Sequence, residues 1–185
     1  LFFDGATSDY IDIGDQAIYS FTSGGGTDLP FSIAAWVRMD DATTFRTFGK
    51  VGILTGTYEW GLFTSASDTL CMNIYDSGDD QIGRCSTAIT AYEGHWYHMA
   101  GTYDATKAAS GIKLYMNGVQ VDNADNNSGS YDGTHDSATA VRIGLLAGTY
   151  AKGTIDQVRL YNRELSQAEI LALVRAESDR MKIVQ

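Results

Sequence analysis

Apolar and polar residues alternate in short runs along most of the chain, and clusters of Gly, Ser, Asp and Asn separate the runs. In FSIAAWVRM, Phe31, Ile33, Ala35 and Val37 share one face of a strand, and Ser32, Ala34, Trp36 and Arg38 share the other. That second face is mixed, which suits contact with solvent or a ligand. GIKLYMNGVQVDNA repeats the alternation through Ile112, Leu114 and Met116, and its Asn117-Gly118 pair is a strong signal for a two-residue hairpin turn. LFFDGATSDYIDIG reads as a first hairpin turning at Asp4-Gly5, with Ile11 and Ile13 on one face of its second strand. YEWGLFTS, TLCMNIYD, QIGRCST, GHWYHMAGTYD, VRIGLLAG and TIDQVRLYN extend the series. About a dozen strands at short spacing predict an all-β fold of two packed antiparallel sheets.

One stretch departs from this period. Ser166 followed by Glu169 forms a capping box, and Leu165 and Ile170 occupy the positions of a hydrophobic staple. Ile170, Leu171, Leu173 and Val174 then make an apolar stripe at helical spacing. The pattern predicts one C-terminal helix over about 166–177, lying against the sandwich and covering an edge or an open end. No linker or repeat interrupts the chain, so residues 1–185 read as a single domain, with the sandwich over about 1–162.

A hydrophobic content of 44% over 185 residues supports a sizeable core, and the net charge of -10 makes nucleic acid and acidic lipid surfaces poor partners. That balance suits a bound divalent cation instead. No apolar run reaches the roughly 18 residues of a membrane span. The chain begins at Leu1 in a strand-like stretch, without Met or a secretory leader, and reads as a mature or excised module.

The two cysteines fall in LCMNIYDSGDDQIGRCST. A hairpin folded about Gly78 sets Cys71 directly opposite Cys85, which permits a disulfide and implies an oxidising compartment. The alternative is a pair of half-buried reduced thiols. His95 and His98, three apart on a strand, point to opposite faces and do not form a zinc pair; His98 reads as a satisfied core histidine. His135, beside Tyr131, Asp132 and Asp136, lies in a polar loop.

In order, FDGATSDYIDIGD, FSIAAWVRM, HWYHMAGTYD, IKLYMNGVQVD, VRIG and GTIDQVRLYNRELSQAEI resemble the successive blocks of the laminin-G-like jelly-roll domain, a relative of concanavalin A lectins, pentraxins and laminarinase-type glucanases. The resemblance spans nearly the whole chain; the insert NNSGSYDGTHDSAT and the tail after Arg175 depart from it. It implies a two-sheet jelly roll, a non-catalytic module that binds glycans or protein ligands, and a place in a larger secreted or cell-surface protein. It also implies a structural calcium ion, held by Asp156 and Asp4 with backbone carbonyls. Asp156 has the parity of Val158 and Leu160, the side expected to face the core, where a carboxylate needs a partner or a metal. The structural alternative has Asp156 bonded to amides or an arginine and Asp4 opening a turn.

The glucanases of this fold carry Glu-x-Asp-x-x-Glu along one strand, and the chain has no such array. Glu59, Glu93, Glu164, Glu169 and Glu177 are scattered, and nucleophile-elbow, metalloprotease and phosphate-loop motifs are absent. A glycan-active enzyme therefore ranks below a binding module. Sugar sites need aromatic planes beside polar groups, and the candidates are Tyr58, Trp60, Tyr131, His135 and Tyr150, with Trp36 and Trp96 assigned to structure. The expected partner is a glycan or polysaccharide, with a protein ligand or a spacer role as the competing reading.

Overall fold

The computed structural model describes residues 1–6 and 9–181. Among them the chain forms strands β1 (Phe2–Asp4), β2 (Ile11–Gly14), β3 (Phe31–Met39), β4 (Arg46–Val51), β5 (Tyr58–Thr64), β6 (Thr69–Tyr75), β7 (Gln81–Ala88) and β8 (Trp96–Tyr103). There follow β9 (Ile112–Met116), β10 (Val119–Gln120), β11 (Asp122–Asp125), β12 (Val141–Ile143), β13 (Leu145–Leu146), β14 (Thr149–Tyr150), β15 (Lys152–Tyr161) and helix α1 (Gln167–Met181). One sheet has the order β1-β15-β3-β8-β9-β10 and the other β11-β7-β6-β5-β4-β12-β2; β13 and β14 pair with each other alone. All pairings are antiparallel.

The alternation read from the sequence decides what the sheets enclose. Phe31, Ile33, Ala35, Val37 and Met39 of β3 meet Trp60, Leu62, Met72 and Ile74 of the opposite sheet, all fully buried. The Asn117-Gly118 turn joins β9 to β10 with Met116 opposite Val119, both turn residues at positive φ. Cys71 lies opposite Cys85 across β6 and β7, and the two form the disulfide that the register predicts.

The first predicted hairpin does not form. β1 adds to β15 in the six-stranded sheet, whereas β2 adds to β12 in the seven-stranded sheet. Ala6 N donates to Asp4 Oδ1 at 2.7 Å, and Asp4 N donates to Asp9 Oδ2 at 2.6 Å. Local turn chemistry marks where the chain bends, but only long-range pairing chooses the partner strand.

Helix α1 starts at Gln167, one residue inside the predicted 166–177, and runs four residues beyond the predicted end. Ser166 N donates to Glu169 Oε2 at 2.9 Å and Glu169 N to Ser166 Oγ at 3.3 Å, the two halves of a capping box. Leu165 and Ile170 are buried against Ala34, Ala100 and Tyr115, each burial contributing about 1.5–3 kcal/mol. The mixed face of β3 is therefore covered: Ser32, Ala34 and Trp36 are buried beneath the helix and its lead-in, and only Arg38 is exposed. Trp36 Nε1 donates to Glu177 Oε2 at 2.8 Å, and Arg159 Nε donates to Glu177 Oε1 at 2.8 Å. His98 lies under this cover, edge-on to Trp36 with ring centroids 5.5 Å apart. Its ring is buried as read, but among the described residues neither ring nitrogen finds a partner, so it is not the satisfied histidine of the sequence reading.

Candidate ligand-binding site at the sandwich rim

Three neighbouring strands and one hairpin build a rim cleft. Tyr10 precedes β2, Arg142 lies on β12, the Gly52–Thr57 turn joins β4 to β5, and Tyr150 closes the β13–β14 hairpin. That hairpin rests on the outer face of the seven-stranded sheet because Gly49 and Gly61 leave room for Leu146. A Cβ at Gly49 would stand 2.9 Å from Leu146 Cδ2 and 2.7 Å from the Trp60 carbonyl oxygen. Leu146, buried there with Val51 and Tyr75, anchors the hairpin that carries Tyr150.

The cleft has a volume of about 510 Å3 and is walled by Tyr10, Ile53, Leu54, Thr57, Arg142 and Tyr150. Its apolar wall is held rigidly. Gly52 N donates to the Thr57 carbonyl at 3.0 Å, Thr57 N to the Leu54 carbonyl at 3.2 Å, and Thr139 Oγ1 braces the Thr57 carbonyl at 2.9 Å. These bonds present Ile53 and Leu54 outward, 70% and 66% exposed. Exposed aliphatic side chains on a turn bolted at its base are an apolar contact surface with little entropy left to lose.

The polar wall is Arg142. Its Nε donates to Asp12 Oδ2 at 3.3 Å, its guanidinium carbon stands 5.8 Å from the centroid of the Tyr10 ring, and its Nη atoms make no hydrogen bond among the described residues. Tyr10 and Tyr150 meet at 53° with centroids 6.3 Å apart, so the two rings are tilted rather than stacked. Neither tyrosine hydroxyl is engaged by a described residue.

Of the five residues predicted to bind, only Tyr150 lines this cleft. Tyr58 is half-buried on the outer sheet face, edge-to-face with Tyr75. Trp60 is wholly enclosed by Phe21, Phe31 and Phe48 and donates Nε1 to the Tyr19 carbonyl at 2.7 Å, which leaves no ring face for a ligand. Tyr131 donates its hydroxyl to Asp28 Oδ2 at 2.8 Å. Burial and that carboxylate raise its pKa above the usual tyrosine value. His135 is half-buried, with Nε2 3.4 Å from the Gly56 carbonyl, and is not among the residues that line the cleft.

The insert that carries Tyr131 and His135 is pinned to the sandwich. Asp28 also accepts from the Tyr103 hydroxyl and, at 2.8 Å, from Thr134 N. Lys50, fully buried, donates to Glu59 Oε1 at 2.6 Å, Ser20 Oγ at 2.9 Å and the Ser137 carbonyl at 2.8 Å, and pairs with Asp15 at 2.9 Å. Burial opposes its charge, but Glu59 and Asp15 outweigh burial and raise its pKa. Glu59 Oε1 accepts Ser137 N and Oγ, each at 2.7 Å, while its buried Oε2 has no protein partner.

The other glutamates also serve structure. Glu93 accepts Ala42 N at 2.7 Å, Glu164 pairs with Lys113 at 2.9 Å, Glu169 caps α1 and pairs with Arg163 at 2.7 Å, and Glu177 ties α1 to Trp36.

The residues expected to hold calcium do not fit it as a pair. Asp4 is exposed and stands opposite Lys152, while Asp156 lies four positions further along β15, about 13 Å away at the strand rise. Asp156 is exposed rather than core-facing, and its Oδ1 accepts Gln157 N at 2.8 Å. A bulge explains the correction: Asp156 stands opposite Trp36 but Arg159 opposite Ala34, with Gln157 at φ 49°. The extra residue reverses the parity, so Ile155 faces the core before it and Val158 and Leu160 after it. Among the described residues no three His, Cys, Asp or Glu side chains converge as a metal site would require.

Sequence reasoning missed Tyr10, Ile53, Leu54 and Arg142. An apolar pair between Gly52 and Gly56 was the one available signal; Tyr10 and Arg142 meet only through the β2–β12 pairing.

A family model described as the concanavalin A-like lectin/glucanases superfamily matches residues 4–171. Among solved structures, the binding domain of Paraclostridial Mosquitocidal Protein 1 is similar, with a TM-score of 0.68 at 14% identity, covering 94% of this chain and 42% of that one. The binding domain of botulinum neurotoxin serotype G gives 0.69 at 15%, covering 95% and 42%. The native heptameric SAP-like pentraxin from Limulus polyphemus gives 0.56 at 11%, covering 78% and 69%. At these identities the likeness is one of fold, and this chain spans less than half the length of either toxin chain. A comparison of the sequence with curated proteins found no match.

Proposed function

Because the chain belongs to the concanavalin A-like lectin/glucanase superfamily, we propose that it is a non-catalytic recognition module of a secreted or cell-surface protein, and that its rim cleft takes a glycan. The observation that carries this reading is the cleft itself. Tyrosine rings, a fixed aliphatic pair and an arginine with donors to spare converge on one concave surface. A sugar presents apolar ring faces and a fringe of hydroxyls, and it is bound by that combination.

Three further observations support it. The similar solved structures include binding domains. All five glutamates are engaged in structural bonds, and the described residues that wall the cleft include no carboxylate that would serve as nucleophile or acid. The Cys71–Cys85 disulfide suits an oxidising compartment, and no helix among the described residues is long and apolar enough to cross a membrane. Calcium has no part in the reading, since Asp4 and Asp156 lie apart.

A glycan array on the intact chain and on Tyr150→Ala, each in millimolar calcium and again with a chelator, tests the proposal. Binding to a coherent sugar class that Tyr150→Ala loses and the chelator leaves intact is the expected result. A silent array in both conditions would sink the glycan reading. It would favour a protein ligand, to which the exposed Ile53 and Leu54 also offer contact.

A further inference from the structure

We infer that the rim cleft selects a sugar bearing a single carboxylate and an N-acyl group, with Arg142 receiving the carboxylate; this rests on the glycan reading above. Among the described residues that line the cleft, Arg142 is the one charged side chain. Its fork is half used. Nε is committed to Asp12, which fixes the plane of the guanidinium, and the Tyr10 ring supports it from one side. The two Nη groups remain for a second acceptor, and a planar fork with two free N–H groups matches a carboxylate in bidentate fashion. Arg142 is 26% exposed against 43% for Asp12, so the arginine is the more shielded of the two and its charge is less screened than on an open surface.

The remaining walls narrow the ligand further. Ile53 and Leu54 are a wall without hydrogen-bonding side chains, facing the same cleft as the cation. A sugar that offers only hydroxyls gains little there, whereas an acyl methyl removes water from both aliphatic side chains. With Tyr10 engaged beneath the guanidinium, Tyr150 is the ring available to the apolar face of the pyranose.

Net charge sets the upper limit on the ligand's own charge. The chain carries 23 acidic residues against 13 basic ones. A polysulfated or polyuronate chain would meet that field at every unit, while one carboxylate within a Debye length of about 8 Å of Arg142 is governed by the arginine. The class is therefore a terminal acidic N-acyl sugar rather than an extended polyanion.

The test uses titration of the intact chain with sialyllactose, its carboxylate methyl ester, and lactose. The inference expects sialyllactose to bind at least about tenfold more tightly than either neutral ligand. Arg142→Gln should erase that preference and leave the melting temperature in place. Asp12→Asn, which keeps an oxygen for Gly14 N but releases Arg142 from its ion pair, should tighten sialyllactose severalfold. Opposite signs for these two variants separate ligand contact from a structural ion pair, whose loss would weaken binding alike in both. Equal binding of all three ligands, or equal loss in both variants, overturns the inference while the glycan reading stands. If no glycan of any class binds, both fall.

Discussion

The pinned insert at 126–139 and the cleft beside it are built from the same kinds of residue, put to opposite uses. In the insert, Tyr131 gives its hydroxyl to Asp28, and Ser137 joins Lys50 and Glu59 in a buried ion-pair network. In the cleft, Tyr10, Tyr150 and Arg142 are only partly covered, and the arginine spends one donor of its fork on Asp12. A buried polar group must be bonded within the fold, so its capacity is consumed in holding the chain together. A half-exposed group is satisfied by water, which a ligand can displace. Residue type does not separate the two regions; burial and unspent donors do.

Substitution of Glu59 probes the pinned side most sharply. Glu59→Ala leaves Lys50 buried beside Ser20 and Ser137 with its closest carboxylate gone and Asp15 at 2.9 Å as its nearest partner, so the loss should fall toward the lower end of the about 3–5 kcal/mol that breaking a buried pair costs. Urea unfolding should show that loss. The double variant Lys50→Met, Glu59→Leu should recover part of it, because apolar residues of similar volume remove both charges together, while Asp15 and the Ser137 donors lose their partners.

His98 is a third case, buried like the insert but without partners for its ring. Burial, reinforced by the positive charge of Arg159, pushes its pKa down to about 4 from 6.5. The unfolded chain takes up a proton near pH 6.5 and the folded chain does not until about pH 4, so stability falls as pH drops through that window. The loss is on the order of 3 kcal/mol, and above the unfolded value His98 contributes nothing. Comparing acid unfolding of the wild type with His98→Leu checks this; the variant should lose that part of the pH dependence. Trp36, edge-on to His98 and bonded to Glu177, should report the change in its fluorescence.

A smaller effect is expected at Tyr131. Tyr131→Phe removes one donor from Asp28 but leaves Tyr103 and Thr134 in place, so a loss of about 1 kcal/mol is expected in urea titration. Tyr150→Ala should change stability least, within about 0.5 kcal/mol, yet abolish glycan binding. If instead Tyr150→Ala destabilises as strongly as Tyr131→Phe, the cleft is structural and the contrast between the two regions fails.

Some of this was legible without coordinates. The parity of β3, the Asn117-Gly118 turn, the Cys71–Cys85 register and the Ser166–Glu169 cap each depend on residues close in sequence. The site was less accessible. Tyr150, a candidate from the sequence, lines the cleft from β14, whereas Trp60 shares the parity of the buried Leu62, and only the opposite sheet decides how completely its ring is enclosed. Asp156 was misplaced by one residue of bulge, which reverses every side chain beyond it.

What the sequence by itself determined was therefore local: which stretches become strands, which face of each is apolar, where the helix starts, and which cysteines meet. Period, turn residues and capping act over a few positions, and they need no knowledge of the rest of the chain. Only the tertiary structure decided that β1 and β2 part to different sheets, that α1 covers Trp36, that Asp4 and Asp156 stand apart, and that Tyr10, Arg142, Leu54 and Tyr150 share a cleft. Those outcomes depend on pairings between residues more than a hundred positions apart, whose selection is a property of the whole packed core rather than of any segment.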